Sequence, residues 1–317
     1  TALSMDETRT QIEQINCAMI GQTPEIAPVD KKLYALRDVT STVECIPLIA
    51  ASIMSKKLSE GLNGLVLDVK MGSGAFMTDP ARSRELAETM IRLGEDRGCP
   101  TVALLTAMDR PLGRACGNAL EAEESINALK GEGPDDLHEL TIAEGIEMLL
   151  LARRQAATPA NRDAAKQELE TCIRNGKAAE RFAAIIEAQG GNPAVVEDPG
   201  ILPQSALVEV YEAPRAGTIA RVEPRAIGRA VVQMGGGRQK VDDVVDPSVG
   251  FVISARPGQR VQKGEPLASI YARDEAGVTI ARMALAQAIE IGVGRAEMLP
   301  LISARVTAKG METIDQV

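Results

Sequence analysis

Two short apolar runs, NGLVLDVK at 63–70 and PTVALLT at 100–106, flank a stretch, DPARSRELAETMIRL at 79–93, whose apolar residues recur at helical spacing. Strand, helix and strand in that order constrain the fold strongly, because a helical crossover is the usual way to set two strands parallel in one sheet. Asp79 supplies an N-cap and Pro80 a first helical residue with its φ already set. Asn118 with Glu121 opens a further helix, ALEAEESINALK, and helical texture continues to about residue 188. The reading is an α/β fold: a mainly parallel sheet flanked by helices.

Upstream, Ser4 with Glu7 three residues on forms a capping box for an amphipathic helix with Ile12 and Ile15 inward. CAMIG at 17–21 reads as a short buried strand, and the prolines and glycine of GQTPEIAPVDKK mark a linker. Asp30 can cap a helix over 31–37, and a second helix runs over 43–59, with Pro47 in its first turn and Gly61 just past its end. After Gly190 and Gly191 the texture changes to short β runs broken by Gly and Pro, such as ALVEVYEAP and GFVISARPGQRV, which predict a separate C-terminal α+β domain. GQRVQKGEPLASI is similar to the hairpins of biotinyl and lipoyl carrier domains, but no lysine stands between two methionines at its tip.

Composition removes several classes of function. At 317 residues the chain exceeds what a single core usually sustains, so two domains are expected. A net charge of −9, no basic patch and 2% aromatics without tryptophan argue against nucleic-acid binding. The longest charge-free apolar stretches, such as Cys45 to Ser55, fall short of the roughly 20 residues of a membrane span. No secretory signal is evident, and five cysteines stand singly at 17, 45, 99, 116 and 172, which suits reduced thiols in a cytoplasmic protein. His138, the only histidine, falls on the charged side of its helix and reads as solvated.

One segment concentrates polar groups on an apolar background: YALRDVTSTVECIPLIAASIMSKK at 34–57. Ser52 and Lys56, four apart, share a helix face, with Ile49 and Ile53 beside them. Arg37 can project into the same slot if the turn at 38–42 folds the two helices side by side. The plainer alternative makes Lys56 and Lys57 a C-terminal dipole pair, Arg37 and Asp38 solvated charges and Ser52 filler. Spacing by itself leaves both open. KMGSGAF at 70–76 follows a strand, a favoured ligand position in α/β folds, and also fits a plain connecting loop. MGGGRQKVDDVVD fits a mobile lid or a tight turn equally well.

The segments APVDKKLYALRDVTSTVECIPLIAASIMSKKL, LDVKMGSGAFM, ALLTAMDRPLGRACGNALEAEESINALKGEGP and VVQMGGGRQKVDDVVDPSVGF closely resemble the thymidine phosphorylase and pyrimidine nucleoside phosphorylase family, and they are spread over residues 27–251, so that the resemblance runs through nearly the whole chain. The resemblance implies phosphorolysis of thymidine, deoxyuridine and, more broadly, uridine to free base and an α-pentose 1-phosphate, in pyrimidine salvage. Arg37, Ser52 and Lys56 are then the base-binding residues, with Arg37 and Lys56 catalytic and Val43, Ile49, Ile53 and Phe76 walling the ring. The resemblance also implies phosphate as co-substrate, no required cofactor, a homodimer, and a structural potassium ion held by the Leu112 and Ala115 carbonyls and Glu124.

A K-x-S-x-G-G-x-G-D type phosphate motif does not occur in the sequence, so no phosphate-binding residue is assigned. The expectation is a member truncated at its N-terminus and inactive by itself. Its parts would be the start of an α/β domain at 1–20, a hinge at 21–28, a remnant of a small helical domain at 29–59, the α/β domain at 60–200 and an α+β domain at 201–317. Two rivals are an enzyme resembling anthranilate phosphoribosyltransferase and a non-catalytic remnant or binding module.

Overall fold

The computed structural model describes residues 3–21, 27, 29–30, 45–240, 242–292 and 298–314. Its first helix, α1 (Met5–Ile15), starts at the Ser4–Glu7 capping box read from sequence, and both reciprocal bonds are present. The CAMIG segment that follows is not a strand; Met19 is tied through its backbone to the Gln189 side chain, at 2.9 Å and 2.8 Å, in place of a ladder. The expected helix at 31–37 lies outside the described residues. The next helix, α2 (Ile46–Ser59), carries Pro47 in its first turn, where a missing N–H costs nothing.

Then β1 (Leu65–Met71), α3 (Pro80–Glu95) and β2 (Thr101–Ala107) form the anticipated crossover, paired in parallel register from Leu65 with Thr101 to Met71 with Ala107. Asp79 caps α3 through the Ala81 and Arg82 amides. Every residue of β2 is buried, as a strand covered on both faces requires. The helical run continues with α4 (Asn118–Leu129), α5 (Asp135–Ala152), α6 (Pro159–Arg174) and α7 (Lys177–Ala188), after the two-residue β3 (Ala115–Cys116). Gly117, not Asn118, caps α4: Glu121 reaches back to the Gly117 amide at 3.0 Å, while the Asn118 side-chain amide is turned to the Gly236 carbonyl at 2.9 Å.

The C-terminal region adds β4 (Leu207–Glu212), β5 (Gly217–Val222), α8 (Pro224–Val231), β6 (Gly250–Ile253), β7 (Arg260–Val261), β8 (Pro266–Ala272), α9 (Glu275–Ala288) and β9 (Ile289–Gly292). They make two antiparallel sheets, ordered β3-β6-β8-β4 and β7-β5-β9, around one dry core that includes Ile219, Phe251, Leu267 and Leu285. β7 pairs with β5, so GQRVQKGEPLASI does not form a carrier-type hairpin. The three glycines of MGGGRQKVDDVVD are packed: Gly235 takes a positive φ of 102°, and its carbonyl accepts from the Asp246 amide at 2.9 Å.

Two expectations need correction. The first sheet, ordered β1-β2-β10-β11, is not mainly parallel; among the described residues only β1 with β2 runs parallel. And β10 (Ile302–Thr307) and β11 (Gly310–Thr313) leave the C-terminal region to complete that sheet, antiparallel to β2 and to each other. The chain from 201 onward therefore divides between two cores. Arg305 on β10 secures the return: its Nε donates at 2.9 Å to Glu147 on α5, which also accepts from Arg162 on α6 at 2.5 Å.

Candidate functional site

Four residues of α2 carry the site read from sequence. At about 100° per residue, Ile49, Ser52, Ile53 and Lys56 fall within one arc of roughly 100°. Ser52 and Lys56 occupy one side of the arc and Ile53 the other, and the structure uses that split. Ser52 is 8% exposed, and Lys56 Nζ donates to its Oγ at 3.3 Å. The same ammonium donates at 2.9 Å to Oδ2 of Asp30, itself 8% exposed. The sequence casts Asp30 as a cap for a helix that lies outside the described residues; its carboxylate also balances the lysine.

Ile49 and Ile53 face a cavity of about 600 Å³. Phe76 and Met77 from the loop after β1, Leu86 and Met90 of α3, and Met108 beyond β2 extend its apolar lining, while Asp68, Lys70, Arg225 and Arg229 supply charge. Phe76 is 60% exposed, an apolar ring left at the edge of an apolar space. The structure thus brings Ile49, Ile53 and Phe76 to one cavity and joins Ser52 to Lys56 on the same helix, but neither of that pair lines the cavity. Lys56 itself lines a second cavity of about 630 Å³, between α2 and α1. Arg37 and Val43 lie outside the described residues.

Sequence reasoning missed the carboxylates near the first cavity. Asp68 is ion-paired with Lys70 and accepts a hydrogen bond from the buried Thr106 hydroxyl. The strand LVLDVKM hinted at this, since Asp68 and Lys70 share one face while Leu67, Val69 and Met71 fill the other. Glu144 on α5 meets the same group. Burial, then its contact and charge interaction with Asp68, push its carboxyl up from 4.5 to about 7, against the pull of Lys70. One Glu144 oxygen, Oε1, is buried with no partner among the described residues, which suits the neutral acid.

The Leu112, Ala115 and Glu124 group is a compact turn. Glu124 Oε1 accepts from the Arg114 and Ala115 amides at 2.8 Å and 3.1 Å, and a Cβ on Gly113 would meet Oε2 at 2.1 Å. A carboxylate with one oxygen committed and one beside backbone is compatible with a hard cation. Among the described residues no cluster of three or more His, Cys, Asp or Glu forms a metal site. At Cys116, next in the chain, burial, then the charges of Glu121 and Glu124, push the thiol up to about 12 against the pull of Arg256, which disfavours the thiolate. No helix among the described residues is long and apolar enough to cross a membrane.

The parallel β-α-β unit fits the class that sequence similarity makes explicit: the chain belongs to the glycosyl transferase family, whose a/b domain matches residues 2–179, and it is similar to thymidine and pyrimidine-nucleoside phosphorylases. The pyrimidine nucleoside phosphorylase C-terminal domain matches residues 218–292. Among individual relatives, pyrimidine-nucleoside phosphorylase of Bacillus subtilis is 45% identical over 273 residues, which is 86% of this chain and 62% of that protein. Thymidine phosphorylase of Burkholderia orbicola is 42% identical over 292 residues, 90% of this chain and 65% of that one. Pyrimidine-nucleoside phosphorylase of Geobacillus stearothermophilus is 41% identical over 273 residues, 86% of this chain and 62% of that one. The chain thus spans 62% to 65% of the length of these relatives.

Proposed function

We propose that this chain carries the pyrimidine-binding side of a nucleoside phosphorylase. In that reaction phosphate displaces the base of thymidine, deoxyuridine or uridine to give a pentose 1-phosphate, within pyrimidine salvage in the cytoplasm and in a homodimeric enzyme. The observation that carries the reading is the Lys56–Ser52 contact of 3.3 Å on the buried face of α2, one helical step from the Ile49–Ile53 wall. As the glycosidic bond breaks, the departing pyrimidine gains negative charge on its two carbonyl oxygens. A fixed ammonium beside those oxygens stabilises the transition state more than the neutral nucleoside.

An ammonium has three donors. Those of Lys56 to Asp30 and Ser52 are described, so a third remains for a carbonyl oxygen. Asp30 holds the ammonium in place and also dampens its field, so excluding water around the pair would strengthen what reaches the base. In this reading Arg37 is the second catalytic cation, Ser52 addresses the ring N3 edge, and Val43 completes the wall with Ile49, Ile53 and Phe76. A potassium ion on the Leu112 and Ala115 carbonyls and Glu124 would have a structural role.

Calorimetry with thymine and uracil tests the base site. The 317-residue chain is expected to bind both, with affinity falling about tenfold or more in Lys56→Ala, as loss of a charge-assisted bond requires. Equal affinity of the variant and the parent would remove Lys56 from the site. Binding of neither base would favour a non-catalytic module.

A further inference from the structure

The loop bearing Phe76 is held from the far end of the chain. Gly74 donates its N–H to the Met108 carbonyl at 2.7 Å, and Ala75 donates to Gly72 at 3.0 Å. Gly74 also lies against the first residue of α8: a Cβ there would stand 2.8 Å from Pro224 Cγ and 2.6 Å from the Met108 oxygen, so only glycine fits. The next residue of α8, Arg225, donates through Nη2 to the carbonyl of Ala75, immediately before Phe76. Its own backbone is anchored, with the Arg225 N–H donating at 3.3 Å to the capping carboxylate of Glu223. Arg229, one turn along the same face, lines the cavity as well, but no bond from it to the loop is described.

Phe76 is too exposed for its own burial to hold it. Its place depends on the backbone beneath it. A guanidinium donor to a carbonyl is stronger than a neutral one, and this one comes from an element built into the fully buried C-terminal core through Ile227 and Ala230. We propose that Arg225 is a positioning residue: from the C-terminal region it clamps the Ala75 carbonyl and thereby sets where the Phe76 ring stands against the cavity. Its consequence for ligand binding rests on the reading of Phe76 as a wall of the base site.

The chain contains no tryptophan, so Phe76→Trp installs a unique fluorophore on the loop. In that background Arg225→Ala should raise acrylamide quenching of the indole emission by roughly twofold, as a loop tip released to solvent requires. Arg225→Lys should restore part of the protection, and Arg229→Ala should leave it as it was. With Phe76 in place, Arg225→Ala should weaken thymine binding about tenfold while the thermal midpoint falls only slightly, because the side chain acts through one charge-assisted bond. Unchanged quenching of the indole in Arg225→Ala would overturn the clamp, whatever thymine does. Quenching needs no ligand, so a parent chain that fails to bind thymine would strike the base-site reading alone.

Discussion

The two halves of the molecule bury different chemistry. Around β5, β6, β8 and α9 the interior is apolar, with Ile219, Phe251, Ile253, Leu267, Ile270 and Leu285 having essentially no exposure. Of the polar or charged residues buried among those described, only Ser248 lies beyond Glu147; Asp30, Ser52, Ser83, Thr101, Thr106 and Glu147 all belong to the first half. Burying a polar group costs free energy unless it is paired, and a burden of that kind often marks the half of a protein where chemistry is done. The C-terminal half acts as a rigid frame that lends Arg225 to the loop and returns β10 to the first sheet.

If that contrast is right, substitutions in the two halves should fail in different ways. The largest effect is expected at Phe251, whose truncation to Ala in a fully buried core should cost about 3–5 kcal/mol in chemical denaturation and make the C-terminal half unfold first. A small loss would mean the core repacks and is not a rigid frame. Next comes Glu147→Ala. Glu147 is 1% exposed and holds Arg305, so its removal leaves that largely buried guanidinium with only the exposed Glu312 carboxylate at 3.6 Å and should cost about 3 kcal/mol. It should also loosen the β10 return, read as faster amide exchange in β10. Ser52→Ala should cost only about 1 kcal/mol, the net worth of one hydrogen bond, while weakening thymine binding. A variant that binds thymine as well as the parent would make Ser52 mere filler.

A further effect is one of pH and belongs to Glu144. An acid whose pKa is raised on folding stabilises the fold most below its ordinary value, here 4.5, and loses that contribution as pH climbs through its folded value of about 7. Stability should decline gently over that window as Glu144 ionises beside Asp68, despite Lys70 and with Glu147 already matched to Arg162 and Arg305. Glu144→Gln, neutral throughout, should flatten the decline in denaturation curves taken across about pH 5 to 8. A slope that survives the substitution would assign it elsewhere.

Local structure was readable wherever a short-range rule decided it. The Ser4–Glu7 box, the Asp79 cap, Pro47 and the β1-α3-β2 crossover all depend on nearby residues, and each is present. Asn118 is not the cap but the first residue of α4, and its side-chain amide donates instead to Gly236, 118 positions away. The pairing of Ser52 with Lys56 was legible from spacing of four on a helix; the Asp30 partner was not, since it crosses 26 residues.

Helical and strand periodicity, the change of texture near Gly190 and the cluster on α2 were thus written in the amino-acid order itself, because propensity, capping and one-face patterning act over a turn or two. Strand direction in the first sheet, the return of β10 and β11, the raised Glu144 carboxyl and the hold of Arg225 on Ala75 came only with the assembled chain. Each depends on which distant surfaces exclude water together, and that is a property of the packed whole which no local window contains.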